Sequence, residues 1–204
     1  LIFFNSLSVV AMDSKILEIG DKNAKITIKV FSSLTCPHCA HFHEKIFNEL
    51  KTEYIDKNKV KFEHHGFPLD LAALNAEKVL RSIEDKNRSF EFLGEIYKKQ
   101  NKWAVGSDIK IINESIKEIG SNFGLNKKRM EQFIKDENIQ DQILNERIDA
   151  QKKYKISSKN ILGHSDVAPD RKKDPGEKFP WKYLSKRKVG LWHTLKKDIL
   201  KKNR

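Results

Sequence analysis

Between Lys25 and Phe67 the apolar pattern of this chain changes its period twice, and few folds accommodate that. Lys25–Phe31 (Lys-Ile-Thr-Ile-Lys-Val-Phe) alternates β-branched and polar residues, the two-residue period of a strand. Ser32-Ser33-Leu34-Thr35 then reads as a turn into a helix. From about Pro37 to Tyr54, Phe42, Ile46, Phe47, Leu50 and Tyr54 recur at helical spacing. Val60–Phe67 reads as a second major strand that Pro68 closes, and Ile16–Ile19 as a short one before both. Residues 70–154 carry helical stripes alone: Ala73/Ala76/Val79/Leu80/Ile83, Phe90/Leu93/Ile96/Tyr97, Ile109/Ile112/Ile116/Ile119, Met130/Phe133/Ile134 and Ile139/Ile143/Leu144/Ile148. These stripes are expected to be core, with turns at Gly106-Ser107 and Gly120–Gly124. Strand, helix, strand and a helical block predict an α/β core with a helical insertion.

The only two cysteines stand where the first period change occurs, in Thr35-Cys36-Pro37-His38-Cys39. Two sulfurs three residues apart in a first helical turn can close a small disulfide. Unpaired N–H groups at a helix start stabilise a thiolate. Pro37 suits the first helical turn, where its missing N–H costs nothing. His38 can lower the thiol pKa further by charge or hydrogen bond. A low-pKa thiolate is also a good leaving group, which makes the disulfide oxidising. Cys36 is expected to be the exposed nucleophile and Cys39 the buried resolving thiol. Two other readings stand beside this one: an inert structural disulfide, and a zinc half-site with His41 and His43. Zinc needs four ligands in a tetrahedron, and those two histidines share one helix with no second cysteine pair. His41 and His43 are expected on the helix surface, flanking the site.

Phe31-Ser-Ser-Leu-Thr-Cys-Pro-His-Cys-Ala-His-Phe-His-Glu44 resembles the active-site segment of DsbA-like thiol–disulfide oxidoreductases of the thioredoxin superfamily. The resemblance continues through Phe62–Asp70 and covers roughly residues 15–155. It implies a thioredoxin-like core, an exported protein and activity on cysteines of other exported proteins, with a membrane or soluble redox partner. It implies no cofactor for the redox site. By the same resemblance Cys36 attacks, Cys39 resolves, and Pro37 and His38 complete the site. The family places a cis-proline loop, two strands and a last helix after the insertion. Here Lys152–Ser158 reads as the approach to that loop, but Lys159-Asn160-Ile161-Leu162-Gly163 stands where Thr-Pro or Val-Pro is expected. The C-terminal part of the sheet therefore has no evident sequence.

Charge marks the same boundary. Residues 151–204 carry 17 Lys and Arg against 5 Asp and Glu, whereas residues 1–150 carry 23 of each. The net charge of +12 thus belongs to the tail. Basic residues interleaved with base-reading aromatics are not evident there, so no nucleic-acid partner is expected. Asn160–Trp181 resembles the second half of zinc-dependent N-acetylmuramoyl-L-alanine amidases, over roughly residues 152–195. By that resemblance His164 and Asp174 match zinc ligands and Lys172 matches the residue that stabilises the developing oxyanion. Such sites need a third protein ligand. His64-His65 resembles that first motif superficially, but Gly66–Asp70 fits the thioredoxin family better. The chain reads as a hybrid of two incomplete enzymes overlapping at Lys152–Ser158, with a tail poorly packed against the body.

At the other end, Leu1–Ala11 is apolar and uncharged and ends in small residues. It reads as the h-region of a secretory signal whose start is missing, too short to span a bilayer; a buried first strand is the alternative. No other stretch approaches the length of a membrane span. The expectation is a mature chain without a transmembrane span, periplasmic or otherwise exported, where cysteines can be oxidised. The organisation expected is a signal remnant at 1–12, the first half of a thioredoxin-like domain at 13–69, a helical insertion at 70–154 and an amidase-like fragment at 155–204.

Overall fold

The computed structural model describes residues 16–154 together with Tyr183, Lys186 and Arg187. Among the described residues three strands form one sheet: β1 (Leu17–Ile19), β2 (Ile26–Ser32) and β3 (Val60–Gly66), in the order β1-β3-β2. β3 is central. It pairs antiparallel with β1 (Leu17 opposite His64) and parallel with β2 (Val30 opposite His64, Ser32 opposite Gly66). Alternation along β3 sends Val60, Phe62 and His64 to one face and Lys61, Glu63 and His65 to the other. The first face is covered, apolar at Val60 and Phe62 and polar at His64. Phe62 meets Phe47 at a ring-centroid distance of 4.8 Å and Phe90 at 6.1 Å.

The helical run after β2 is not the continuous helix that the spacing predicts. It comprises α1 (Pro37–His41), a π-helical turn (Phe42–Ile46), α2 (Phe47–Leu50) and a second π turn (Lys51–Ile55). In the second turn the Asp56 N–H reaches back five residues to Lys51 O, at 2.8 Å. Each such turn adds a residue and rotates the helical segment beyond it. The buried face therefore slips by one position. Phe47 and Ile55 are buried, while Ile46 and Tyr54, which the spacing assigns to the core, are 50% and 48% exposed.

The helical block matches the predicted stripes closely: α3 (Leu71–Arg81), α4 (Lys86–Lys98), α6 (Ile109–Asn122), α7 (Lys127–Lys135) and α8 (Glu137–Lys153), with a short α5 (Gln100–Trp103) that no stripe announced. Each of the five longer helices starts on an Asp or Asn whose side chain accepts a backbone N–H: Asp70, Asp85, Asp108, Asn126 and Asp136. A cap of this kind contributes about 1 kcal/mol. Gly120 is helical rather than part of a turn; a Cβ there would collide with Met130 Sδ, so the residue lets α7 close on α6. The turn comes later, at Gly124 with φ +86°.

α8 returns to the sheet. The Arg147 guanidinium lies over the Phe67 ring, 4.8 Å from its centroid, and donates to Pro68 O. Tyr154 meets the edge of Phe31, which stacks on His65. A bidentate pair, Arg81 with Glu146 at 2.9 and 2.6 Å, ties α3 to α8. Of the tail, Tyr183 does not fit the expectation of poor packing. Its ring packs on the cluster of Leu74, Ile139, Ile143, Leu144 and Ile148, and its hydroxyl donates to Asn145 Oδ1 at 3.0 Å. His164, Lys172 and Asp174 lie outside the described residues.

Candidate functional site: a cysteine pair over a cavity

The turn that carries Cys36 is held from two sides. From the sheet, Phe67 N–H donates to Ser32 O at 2.8 Å and Leu69 N–H to Ser33 Oγ at 3.3 Å. The Thr35 hydroxyl donates to Asp70 Oδ2 at 2.5 Å, so the residue that caps α3 also grips the turn. From the insertion, Gln100 Nε2 donates to Leu34 O at 2.8 Å and to Cys36 O at 3.1 Å. Cys36 is the N-cap of α1 in extended geometry, with Pro37 in the first helical turn, as the sequence predicts.

Both thiols are free and half-buried, so exposure does not separate an outer from an inner cysteine as expected. Their electrostatics do. The Cys39 S–H donates to the Cys36 sulfur and pulls its pKa down to about 5, against the opposing effect of burial. The N–H groups of Cys39 and His38 and the charge on His38 act in the same direction. Cys39 is driven the other way, because its proton is held by Cys36, burial disfavours its charge and the Cys36 charge is adjacent. At neutral pH the pair is one thiolate and one thiol.

Beneath Cys39 lies a cavity of about 170 Å³ bounded by Ser32, His43, Phe62, His64 and Tyr97. His43 is therefore half-buried rather than on the helix surface. It stacks on Phe47 at 4.7 Å and lies 5.2 Å from the Tyr97 ring. Burial, and then the charge of His64, push its pKa down to about 4, so it is neutral near pH 7. His41 is exposed, as expected. His64 is a buried member of this wall, 3.3 Å from both Ser32 Oγ and Glu77 Oε2. His65 faces away and meets Glu63 at 3.0 Å. Among the described residues no three of His, Cys, Asp and Glu cluster as metal ligands, the four residues of the zinc half-site reading included.

The sequence reading did not identify Tyr97 or Gln100 as site residues, placed His43 only beside the site or in the zinc alternative, and met His64 only in the amidase comparison. His43 had a readable signal, since it stands one helical turn beyond Cys39. Tyr97 and His64 had none, because β3 and α4 reach the cysteines only through the fold.

A family model described as Thioredoxin matches residues 13–159. The chain belongs to the thioredoxin family. Among relatives of this thioredoxin-family chain, a Rickettsia bellii protein carried under the name protein-disulfide oxidoreductase is 32% identical over 133 residues, 65% of this chain and 50% of that protein. The chain spans about half the length of the curated relatives it matches. The crystal structure of Wolbachia pipientis alpha-DsbA1 superposes with a TM-score of 0.64 at 28% identity, covering 70% of each chain. The fold is thus DsbA-like, with the helical insertion in place. A separate, short likeness is to the N-acetylmuramoyl-L-alanine amidase AmiD of Escherichia coli, 45% identical over 40 residues, which is 20% of this chain and 14% of that enzyme. Among the described residues no helix is long and apolar enough to cross a membrane.

Proposed function

We propose that this chain is an exported thiol–disulfide oxidoreductase that oxidises cysteines in other exported proteins. The observation that carries this reading is the pair's place at the start of α1, with Cys36 as N-cap, Pro37 in the first turn and both thiols free and half-buried; the opposed electrostatics of the two thiols support it. A substrate thiolate attacks Cys36 Sγ of the oxidised pair. The Cys36–Cys39 bond breaks, and Cys39 leaves and takes up a proton. A second substrate thiolate then attacks the substrate sulfur of the mixed disulfide, and Cys36 leaves as a stable thiolate. The substrate loses two electrons and the pair gains them. A membrane or soluble redox partner restores the disulfide. The two sulfurs carry the electrons, so the site needs no cofactor. Pro37 shapes the helix entry, and His38 supplies charge and an N–H to Cys36. The names of the Rickettsia and Wolbachia relatives support this reading, and a disulfide oxidant of this kind requires a periplasmic or otherwise exported setting.

The test is a redox titration of the full chain against glutathione, with acid quench, alkylation and mass readout. The expected result is a single shared midpoint for Cys36 and Cys39, strongly oxidising and on the order of −120 mV. Two independent thiols of ordinary reactivity would sink the proposal.

The AmiD likeness favours a second reading for the tail alone: a fragment of a zinc-dependent peptidoglycan amidase, joined near 152–160, with His164 and Asp174 as ligands and Lys172 beside them. Zinc retained through dialysis by the full chain and lost in His164→Ala would support it. Equal zinc content in both would reject it.

A further inference from the structure

A line of hydrogen bonds runs from the cavity beneath Cys39 to a buried carboxylate. The Tyr97 hydroxyl donates to Ser32 Oγ at 3.1 Å. Ser32 Oγ lies 3.3 Å from His64 Nδ1, and His64 Nε2 lies 3.3 Å from Glu77 Oε2. Glu77 reaches this position because β3 ends in glycine; a Cβ on Gly66 would stand 2.6 Å from Glu77 Cδ. Burial opposes ionisation of Glu77, but His64 and Arg81 outweigh it and hold its pKa below the ordinary value. A carboxylate only accepts, so His64 Nε2 carries a hydrogen. Ser32 Oγ accepts from Tyr97, so its own hydrogen can go to His64 Nδ1 whenever that nitrogen carries none. All three donors then point one way, from the cavity toward Glu77. A proton that enters at Tyr97 can be relayed to His64 Nδ1 by hydrogen exchange alone, with no heavy atom displaced.

Cys39 needs such a path. It reacts as a thiolate, yet it holds its proton at neutral pH. Cys39 and Tyr97 border the same cavity, which has the volume for a water molecule and, in Tyr97 and His43, polar groups to hold it. We propose that Tyr97, Ser32 and His64 form a proton wire that serves Cys39. The proposal rests on the redox reading of the cysteine pair. When Cys39 attacks a mixed disulfide, its proton passes into the wire and its electron pair forms the bond to Cys36 Sγ. The bond between Cys36 and the outer sulfur breaks, and that sulfur leaves as a thiolate with the bonding pair. In the opposite direction Cys39 leaves and the wire returns the proton.

His64 is the end point, not His43. Both border the cavity, but only His64 has a carboxylate at hydrogen-bond distance to stabilise an imidazolium. The charged and titratable groups around His64 come from every packed element. They are Cys39 and His38 of α1, His43 of the first π turn, Glu77 and Arg81 of α3, and Tyr97 and Lys86 of α4. Glu63 and His65 of β3 itself face the opposite side, where Lys29 of β2 pairs with Glu63. Glu77 is the anion in contact with the ring. The Arg81 charge beyond it is shared with Glu146. His64, Ser32 and Tyr97 act through one another and through water, so they are positioning residues for the thiol chemistry.

Quench-flow on the full chain separates the steps. Reduced protein is mixed with oxidised glutathione; Cys36 forms a mixed disulfide, and Cys39 then closes the ring and expels glutathione. Closure is measured from about pH 5 to 8, where imidazoles titrate, in the wild type, Tyr97→Phe, Ser32→Ala, His64→Asn and Tyr97→Phe/His64→Asn. The expected result is closure slowed ~10²-fold in each single variant, the magnitude typical of lost proton transfer. The pH profile of closure changes in His64→Asn, and the double variant is no slower than the slower single one. Tyr97→Phe and Ser32→Ala each remove one oxygen from a side chain, so they decide the matter should His64→Asn fail to fold. Closure at the wild-type rate with the wild-type pH profile, or losses that add in the double variant, would overturn the wire alone. If no mixed disulfide forms at Cys36 in the wild type, the redox reading falls and the wire with it.

Discussion

Changing the pH tests the thiol split directly, because the number of protons taken up on reduction sets how the midpoint potential moves. Above about pH 5 the reduced Cys36 is a thiolate, and Cys39 keeps its proton throughout the neutral range. Reduction of the disulfide between pH 6 and 8 therefore takes up two electrons and one proton. For two electrons each proton contributes about 30 mV per pH unit. The midpoint is expected to fall by about 30 mV per unit from pH 6 to 8, and by about 59 mV per unit below pH 5, where Cys36 also binds a proton. At pH 7 a thiol with a pKa of about 5 favours its thiolate by about a hundredfold. That makes the disulfide about 59 mV more oxidising than the same pair with ordinary thiols, as an upper bound, since solvent at the half-exposed sulfur screens part of the effect. The kinetic counterpart is different. A low pKa raises the thiolate fraction but lowers the nucleophilicity of each thiolate, so the gain lies mainly in how readily Cys36 leaves. The assay is equilibration in glutathione buffers at each pH, then acid quench and mass readout. A slope near 59 mV per unit across pH 6 to 8 would show two protonated thiols in the reduced state and refute the electrostatic reasoning.

Stability should track the same ionisation. The folded pKa of Cys36 lies below the unfolded value of 9.0, so its contribution is complete above pH 9 and is lost as pH falls toward 5. The reduced chain should accordingly gain denaturant resistance relative to Cys36→Ser as pH rises from about 5 to 8; a constant gap would contradict this. Gln100→Leu removes the donor shared by Leu34 O and Cys36 O, and should cost about 1 kcal/mol and move the pH inflection of Cys36 alkylation upward. Gly66→Ala forces a Cβ against Glu77 and should cost about 1–3 kcal/mol in urea denaturation, with Glu77→Ala on the same background relieving part of it. Phe47→Ala empties the centre of the Phe47–Phe62–Phe90 group and should cost about 3–5 kcal/mol by the same measurement; a loss under about 1 kcal/mol would mean that the pile contributes little.

The helical block was readable because each of its stripes obeys a local rule. Ile112, Ile116 and Ile119 repeat at the helical period, and their burial comes from that repeat. The cysteine pair was readable for the same reason: Cys36-Pro37-His38-Cys39 contains its own turn, its own helix start and both sulfurs. The helix after it was read too simply. The π turns slip its buried face by one position, and nothing in the periodicity of Phe42–Ile55 distinguishes Tyr54 from Ile55 until β3 packs against that segment.

Local periodicity and one motif therefore determined the element order, most of the core and the thiol chemistry of this chain, since those depend on residues within a turn or two of each other. The tertiary structure alone decided what surrounds the sulfurs. Parallel pairing of β2 with β3 sets His64 opposite Val30, and the crossing of α4 brings Tyr97 to Ser32, 65 residues away in sequence. A proton path needs atoms within about 3 Å of one another, and no periodicity in a sequence records which distant residues come that close.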